Sequence, residues 1–165
     1  MSIQNVNDVV IRTATNHDRE RVVALVFGVL TEYGLPPDPE SKDADLNDIE
    51  ENYIKPGGVF ELIEDKAGTL LGTFGLCPLD KDTCELRKMY FVPQVRGMGL
   101  GRRVLERAVG HARRLGFKTI VLETNSVLKE AIRLYTRFGF TPEPVEHATE
   151  RCDQAYILKL AEGEE

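Results

Sequence analysis

The stretch that decides the fold of this chain is Phe91-Val-Pro-Gln-Val-Arg-Gly-Met-Gly-Leu-Gly-Arg-Arg103. Its first residues are typical of the end of a strand, and apolar residues recur at helical spacing after Leu100. Glycines between a strand and a helix let the backbone approach a ligand closely, and the free amides and dipole of a helix N-terminus favour an anion. The stretch therefore predicts a phosphate-binding loop, to which Arg96, Arg102 and Arg103 add positive charge.

The spacing of the glycines distinguishes between the phosphate-binding motifs that share this physics. A P-loop needs Gly-Lys-Ser/Thr after its glycines, which this loop lacks. The dinucleotide fingerprint G-x-G-x-x-G, counted from Gly97, needs a third glycine at the position of Arg102. The pattern that does fit is Q-x-x-G-x-G, formed by Gln94, Gly97 and Gly99.

Regular elements are predicted on both sides of the loop. Before it, the pattern predicts a strand opening at Val9, a helix with an apolar stripe from Val22 to Tyr33, a loop Gly34–Pro39, a short helix over 44–53, and an antiparallel meander of strands over 59–64, 70–76 and 85–92. After it, we expect a helix from Leu100 to Leu115 that Gly116 ends, a strand over 119–123, a helix over 128–138 that Gly139 ends, and a last strand over 155–160.

The loop and its flanks resemble the GNAT N-acetyltransferases, whose pyrophosphate loop has the pattern Q/R-x-x-G-x-G/A. Upstream, Glu85-Leu-Arg-Lys-Met-Tyr-Phe-Val-Pro93 looks like the strand that leads into that loop. Downstream, Ala131-Ile-Arg-Leu-Tyr-Thr-Arg-Phe-Gly-Phe140 looks like the family's later helix and turn. The resemblance implies an α/β (α+β) GNAT fold, with a central mixed, mostly antiparallel sheet of roughly six or seven strands, about four flanking helices, and a splay between the fourth and fifth strands.

The resemblance also implies acetyl-CoA as the acyl-donor co-substrate. The backbone from Met89 to Phe91 would pair with the pantetheine arm as though with an added strand, and the amides from Arg96 to Gly101, continuing to Arg102, would hold the pyrophosphate. The residues expected to contact the cofactor are Met89, Tyr90, Phe91, Gln94, Arg96, Gly97, Met98, Gly99, Leu100, Gly101, Arg102, Asn125 and Tyr135.

The implied reaction is the direct attack of an amine on the thioester, without a covalent enzyme intermediate, so it needs one base and one acid. Tyr135 is the expected acid because it matches the family's tyrosine near the sulfur, and the alternative is a core tyrosine with a satisfied hydroxyl. Glu85 and Glu123, on the strands flanking the expected splay, are both candidate bases that act directly or through water. The alternative for each is a solvated glutamate at a strand edge.

One position departs from the family pattern. Many relatives carry an asparagine three residues before the alanine of the Ala-Ile-x-Leu-Tyr block, and this chain has Leu128 there. Asn125 lies about one helical turn earlier and is the candidate replacement.

Composition limits the remaining possibilities. With 165 residues, we expect a single domain over 1–165. The formal net charge of -6 disfavours nucleic acid as a partner, because phosphate binding needs a concentrated basic surface. The sequence has no apolar run near the roughly 18 residues of a membrane helix and no signal pattern at its start, so no membrane association and a cytoplasmic location are expected.

Metal and disulfide chemistry are not expected either. The histidines His17, His111 and His147 lack metal-ligand spacing, so no metal is predicted. The cysteines Cys77, Cys84 and Cys152 are odd in number and form no CxxC pair, which predicts reduced structural thiols.

The function expected from the sequence is an N-acetyltransferase acting on a primary amine of a small molecule, amino acid or peptide. The alternative is a catalytically silent module of the same fold that binds acyl-CoA as a sensor or interaction domain. Acceptor choice is expected to lie in the first two helices and in the loop Gly34–Pro39. Analogy with relatives also raises a homodimer as an expectation.

Overall fold

The computed structural model describes residues 8–160. Its strands are β1 (Val9–Thr13), β2 (Val59–Asp65), β3 (Leu70–Pro78), β4 (Thr83–Phe91), β5 (Thr119–Thr124), β6 (Thr141–Glu143) and β7 (Gln154–Lys159). Its α-helices are α1 (Arg19–Glu32), α2 (Leu100–Arg114) and α3 (Lys129–Phe138). The strands form one sheet of seven in the order β1-β2-β3-β4-β5-β7-β6.

The sheet is mixed and mostly antiparallel, which confirms the predicted architecture. The first four strands form the expected meander. β5 pairs in parallel with β4, and β7 lies antiparallel to both β5 and β6. β6 was not predicted, because its residues Thr-Pro-Glu are all exposed and show no apolar alternation. Its proline is tolerated because β6 lies at the edge of the sheet.

Helices cover both faces of this sheet. The buried side of α1 packs with Leu46, Ile49 and Tyr53 into one core, and α2 packs with α3 into the other. Leu115, the last residue of the predicted helix, lies just beyond the end of α2 and is 48% exposed. No helix within residues 8–160 is long and apolar enough to cross a membrane.

The predicted helix over 44–53 is two short helical turns instead. A 3-10 turn covers Ala44–Asn47, and a π-helical turn covers Glu50–Ile54. Asp48 separates them because its backbone is extended, with φ -150° and ψ 90°. Its carboxylate accepts a hydrogen bond from the Glu51 amide at 3.0 Å, so the chain starts a new turn rather than continuing the first.

β4 and β5 part soon after they meet. Their parallel pairing covers Thr83↔Thr119, Cys84↔Ile120 and Glu85↔Val121. Beyond Glu85, β4 continues beside β3 as far as Phe91, whereas β5 continues beside β7. This divergence is the splay that the resemblance implied, and it leaves one edge of β4 open.

A bulge at Lys88 bends β4 within this open region. Lys88 has a φ of 56°, at the point where the register between β3 and β4 shifts. The buried hydroxyl of Thr73 donates a hydrogen bond of 2.7 Å to the Lys88 carbonyl, which stabilises the bulge. The turned backbone directs Lys88 towards the residues that follow α1, where its side chain is 7% exposed.

Candidate active site

A cleft of about 1110 Å³ lies between the parted strands. Its walls come from the open part of β4, the end of β5, the glycine loop and one face of α3. The segments that follow α1 and precede β7 close its other side, through Tyr33, Ser41, Lys42, Asp45, Arg151 and Cys152. The splay therefore brings residues from both halves of the chain into one site.

The glycine loop places backbone amides at this cleft. Gly97 and Gly99 have φ values of 77° and 81°, a left-handed conformation that other residues adopt only at a cost. The first helical hydrogen bond of α2 runs from the Arg103 amide to the Gly99 carbonyl at 3.2 Å. The amides of 100–102 precede that bond and so have no acceptor within the helix. Such a terminus is suited to an anion.

Arg96 stabilises this loop through its side chain. Its Nη2 donates a hydrogen bond of 2.8 Å to the Phe91 carbonyl, and its guanidinium pairs with Glu32 at the end of α1. The same group lies 5.3 Å above the centre of the Tyr33 ring. The charge of Arg96 is therefore already paired within the protein, and these contacts hold the loop against α1.

Gly101 lets α2 begin close to α3. A Cβ at this position would lie 3.2 Å from Cδ2 of Leu134, closer than most side chains tolerate. Arg102, the next residue, lines the cleft and donates a hydrogen bond to Glu106 at 3.1 Å. Its guanidinium also covers the Phe138 ring at 5.5 Å, so contacts at both residues join the two helices beside the loop.

The cleft collects most of the residues expected at the cofactor. Those lining it are Met89, Tyr90, Phe91, Arg96, Gly97, Gly99, Leu100, Gly101, Arg102 and Tyr135. Gln94, Met98 and Asn125 are not part of the lining. Gln94 is exposed, and Met98 packs against the core. Asn125 uses its amide within the protein, since Nδ2 donates to the Glu150 carbonyl at 2.9 Å and Oδ1 accepts from the Val127 amide at 3.0 Å.

Tyr135 belongs both to the core and to the cleft. It is 6% exposed, its ring lies 5.7 Å from that of Phe140, and it lines the cleft wall formed by α3. Burial raises the pKa of Tyr135 well above the usual tyrosine value, and ionisation of the neighbouring Tyr90 at alkaline pH raises it further. Its hydroxyl is therefore protonated at neutral pH and can act only as a proton donor there.

Glu85 and Glu123 both line the cleft, but their surroundings differ. The Glu85 side chain is 14% exposed and accepts a short charged hydrogen bond from Arg87. The Glu123 side chain is 41% exposed, and its nearest cation is Nζ of Lys42 at 3.9 Å. The sequence alone does not distinguish between the two glutamates as candidate bases. In the structure, Glu85 is closely paired with Arg87, whereas Glu123 is only loosely paired.

A buried ionic cluster includes three of the residues that line the cleft, Asp45, Lys88 and Arg151. The fully buried carboxylate of Asp43 accepts bonds of 2.7 and 3.0 Å from Arg151, and Lys88 lies 3.1 Å away. Lys88 also lies 3.2 Å from Asp45, whose other oxygen accepts a short hydrogen bond from Tyr53. Burial raises the pKa of Asp43, but the Arg151 bond, the Asp38 amide and the Lys88 charge outweigh it, so the net shift is downward.

Sequence analysis did not identify this cluster. Asp43 and Arg151 are 108 residues apart, and neither lies in a motif or a periodic pattern. Lys88 stands in the predicted strand, but its inward direction depends on the bulge. The cysteine beside Arg151, Cys152, also reaches the cleft, and burial raises the pKa of its thiol. Among residues 8–160, no group of histidine, cysteine or acidic side chains is arranged to hold a metal.

Comparison with known proteins identifies the family. Residues 26–140 match the family described as "Acetyltransferase (GNAT) family". The uncharacterized N-acetyltransferase YjgM of Escherichia coli (strain K12) is 39% identical over 136 residues, which cover 79% of this chain and 81% of that protein. An uncharacterized N-acetyltransferase of Schizosaccharomyces pombe is 33% identical over 125 residues, covering 74% of this chain and 77% of that protein.

Solved structures show the same fold at lower identity. A GNAT-family acetyltransferase from Staphylococcus aureus Mu50 superposes with a TM-score of 0.86 at 22% identity, over 93% of this chain and 99% of that one. The putative acetyltransferase yncA of Salmonella typhimurium, solved with its cofactor acetyl-CoA, has a TM-score of 0.74 at 22% identity, over 96% of this chain and 98% of that one. This chain therefore belongs to the acetyltransferase (GNAT) family and is an acyltransferase.

Proposed function

We propose that this protein transfers an acetyl group from acetyl-CoA to a primary amine by direct attack of that amine. The observation that carries the proposal is the splay: it joins an open strand edge, a loop of free amides, a protonated tyrosine and a loosely paired glutamate in one cleft. Acetyl-CoA supplies an activated thioester when it is bound. The protein's own residues then have to bind it, orient the amine and move two protons.

The cleft suits the chemical groups of acetyl-CoA. The open edge of β4 between Leu86 and Phe91 offers backbone groups that a chain of amides, such as pantetheine, can pair with as an added strand. The amides of 97–102 surround the start of α2, where the two negative charges of a pyrophosphate are favoured by the helix dipole. These residues would hold the donor along β4, with its phosphates at the loop.

The left-handed glycines make the phosphate site testable. Replacing Gly99 by alanine should weaken acetyl-CoA binding by about tenfold or more, because a left-handed alanine costs about 1–2 kcal/mol and relaxation of that strain displaces the amides. Gly68→Ala is the matched control, since Gly68 has a φ of 88° in the β2–β3 turn and lies outside the cleft. Calorimetric titration should show weaker binding in the first variant only, with similar losses of melting temperature in both. Equal affinity in the two variants would contradict the loop's role.

Proton transfer is assigned to Tyr135 and Glu123. Glu123 takes the proton that the amine loses, because its carboxylate is exposed and only loosely paired. Glu85 is the weaker candidate, since its carboxylate is less exposed and is already bound by Arg87. Tyr135 donates its proton to the sulfur as the C–N bond forms and the C–S bond breaks.

Direct attack is supported by the side chains that line the cleft. Covalent catalysis needs an activated nucleophile, usually a thiolate or a hydroxyl beside a histidine. In the described part of the chain, the cleft contains no histidine, and its thiol, Cys152, has a raised pKa that disfavours the reactive thiolate. The acceptor amine is therefore the nucleophile that we assign.

Release of free thiol from acetyl-CoA tests this function. A panel of amines should include one or more acceptors that raise thiol release well above hydrolysis, with one acetylated amine formed for each thiol. Tight binding of CoA with no acceptor-dependent release would instead indicate a sensor that binds acyl-CoA without turnover.

A further inference from the structure

We call the part of the cleft lined by Lys42, Glu85, Lys88, Glu123 and Arg151 its acceptor side. The ion pair between Lys42 and Glu123 differs from the other charged contacts there. Its Nζ–Oε2 distance is 3.9 Å, and the two side chains are 36% and 41% exposed. The neighbouring pairs are shorter and more buried: Arg151–Asp43 at 2.7 Å, Lys88–Asp43 at 3.1 Å, Lys88–Asp45 at 3.2 Å, and the close contact of Arg87 with Glu85. Lys42 and Glu123 are thus the charges that an incoming molecule can reach and bind.

The backbone of Lys42 is fixed in place. Its carbonyl accepts a hydrogen bond of 3.1 Å from Nζ of Lys88. The next residue, Asp43, is held by Arg151 through two bonds. Because the bonds to Asp43 are buried and the bond to the Lys42 carbonyl is partly buried, the segment after α1 holds the Lys42 backbone beside Glu123 before a ligand binds.

We propose that the acceptor is a free α-amino acid, which carries a carboxylate on the carbon next to its amine. Its ammonium lies at Glu123 and its carboxylate at Lys42, so the charges alternate around a closed ring of four groups. Charge-assisted hydrogen bonds of about 2.7–2.9 Å on two sides of that ring are compatible with a gap of 3.9 Å between the protein groups. This inference rests on the proposed function and assigns Glu123 the same amine from which it removes the proton.

The surrounding charges favour such a zwitterion over other amines. Arg87, Lys88 and Arg151 also line the cleft. Their charges are balanced by the carboxylates of Glu85, Asp43 and Asp45, just as that of Lys42 is balanced by Glu123. A polyamine would bring several ammonium groups and no carboxylate to this balanced set of charges, whereas a zwitterion adds one charge of each sign. A peptide N-terminus or an amino acid amide lacks the adjacent carboxylate, so it forms no charged bond with Lys42.

Kinetics with matched acceptors test the proposal. L-amino acids should each be compared with their own α-amides, with spermidine added as a carboxylate-free amine. A hydrogen bond to a charged group corresponds to roughly a 10- to 150-fold effect, so the wild-type kcat/KM for the preferred free acid should exceed that for its amide by about tenfold or more. Lys42→Met should lower kcat/KM for the acid by about tenfold more than for the amide, because an effect that acts through Glu123 is shared by both acceptors.

Two further variants separate this role from a general effect of charge. Lys42→Arg keeps the cation and should keep the preference for the free acid. Lys66→Met removes another lysine with an ion pair of 3.9 Å, to Asp8, outside the cleft, and should leave the preference unchanged.

Three different results would contradict the amino acid acceptor, the role of Lys42 and the acetyltransferase function, respectively. If wild-type protein acetylates the amide or spermidine as well as the free acid, the amino acid proposal fails and the acetyltransferase function stands. If Lys42→Met lowers kcat/KM for acid and amide alike, Lys42 does not recognise the carboxylate. If CoA binds and no acceptor causes thiol release, the proposed function fails, and this inference fails with it.

Discussion

Replacing Tyr135 by phenylalanine should lower kcat by about 100-fold and leave acetyl-CoA affinity within about twofold, because the change removes a general acid from the cleft while keeping its ring. Burial raises the pKa of Tyr135, and the active form is the protonated one. That form persists from neutral to mildly alkaline pH and is lost only above the raised pKa. The deficit should therefore be the same between about pH 6 and 9.

Tyr156→Phe is the matched control for this change. Tyr156 is 5% exposed on β7, and its hydroxyl donates a hydrogen bond of 2.9 Å to Gln154 outside the cleft. Removing that bond should cost about 1 kcal/mol of unfolding free energy and leave kcat within about twofold. An unaltered kcat for Tyr135→Phe across the pH range would assign Tyr135 to packing alone, against Phe140.

Local sequence predicts the backbone conformation of the glycine loop and the helix that carries Tyr135. The Q-x-x-G-x-G spacing predicts the turn at Gly97 and Gly99 because a left-handed backbone requires glycine there. The apolar stripe that includes Tyr135 predicts a helix, and the helix carries that residue to the cleft. In both cases, the residues that determine the geometry lie within a few positions of one another.

The acceptor side was not predictable in the same way because its geometry depends on distant partners. In the sequence, Lys88 looks like an ordinary strand residue. Its side chain is directed to the cleft wall only because the register between β3 and β4 shifts at this point. Asp43 and Arg151 lie in irregular segments and acquire a role only through their mutual bonds. Likewise, Asn125 was expected at the cofactor, whereas the segment before β7 provides the carbonyl of Glu150 that its amide binds.

The choice between Glu85 and Glu123 depends on such partners as well, and a pair of isosteric variants tests it. Glutamine keeps the size of the side chain but does not accept the amine's proton. Glu123→Gln should lower kcat/KM for the acceptor by about 100-fold or more, whereas Glu85→Gln should lower it by less than about tenfold. Acetyl-CoA affinity, measured separately, should be unchanged in both variants, because neither glutamate lies at the glycine loop.

The free energy of unfolding should fall more in Glu85→Gln than in Glu123→Gln, which is the reverse of the order expected for activity. Each variant is therefore a control for the other. Glu85→Gln removes the carboxylate that binds the half-buried Arg87, so we expect a loss of about 1–2 kcal/mol of unfolding free energy. Glu123→Gln removes a pair at 3.9 Å between exposed side chains, and its cost should stay below about 0.5 kcal/mol. If Glu85→Gln caused the larger loss of activity with acetyl-CoA affinity intact, the base would be Glu85. Glu123 would then act only through its charge beside Lys42, and Glu123→Gln would raise KM for the acceptor without lowering kcat.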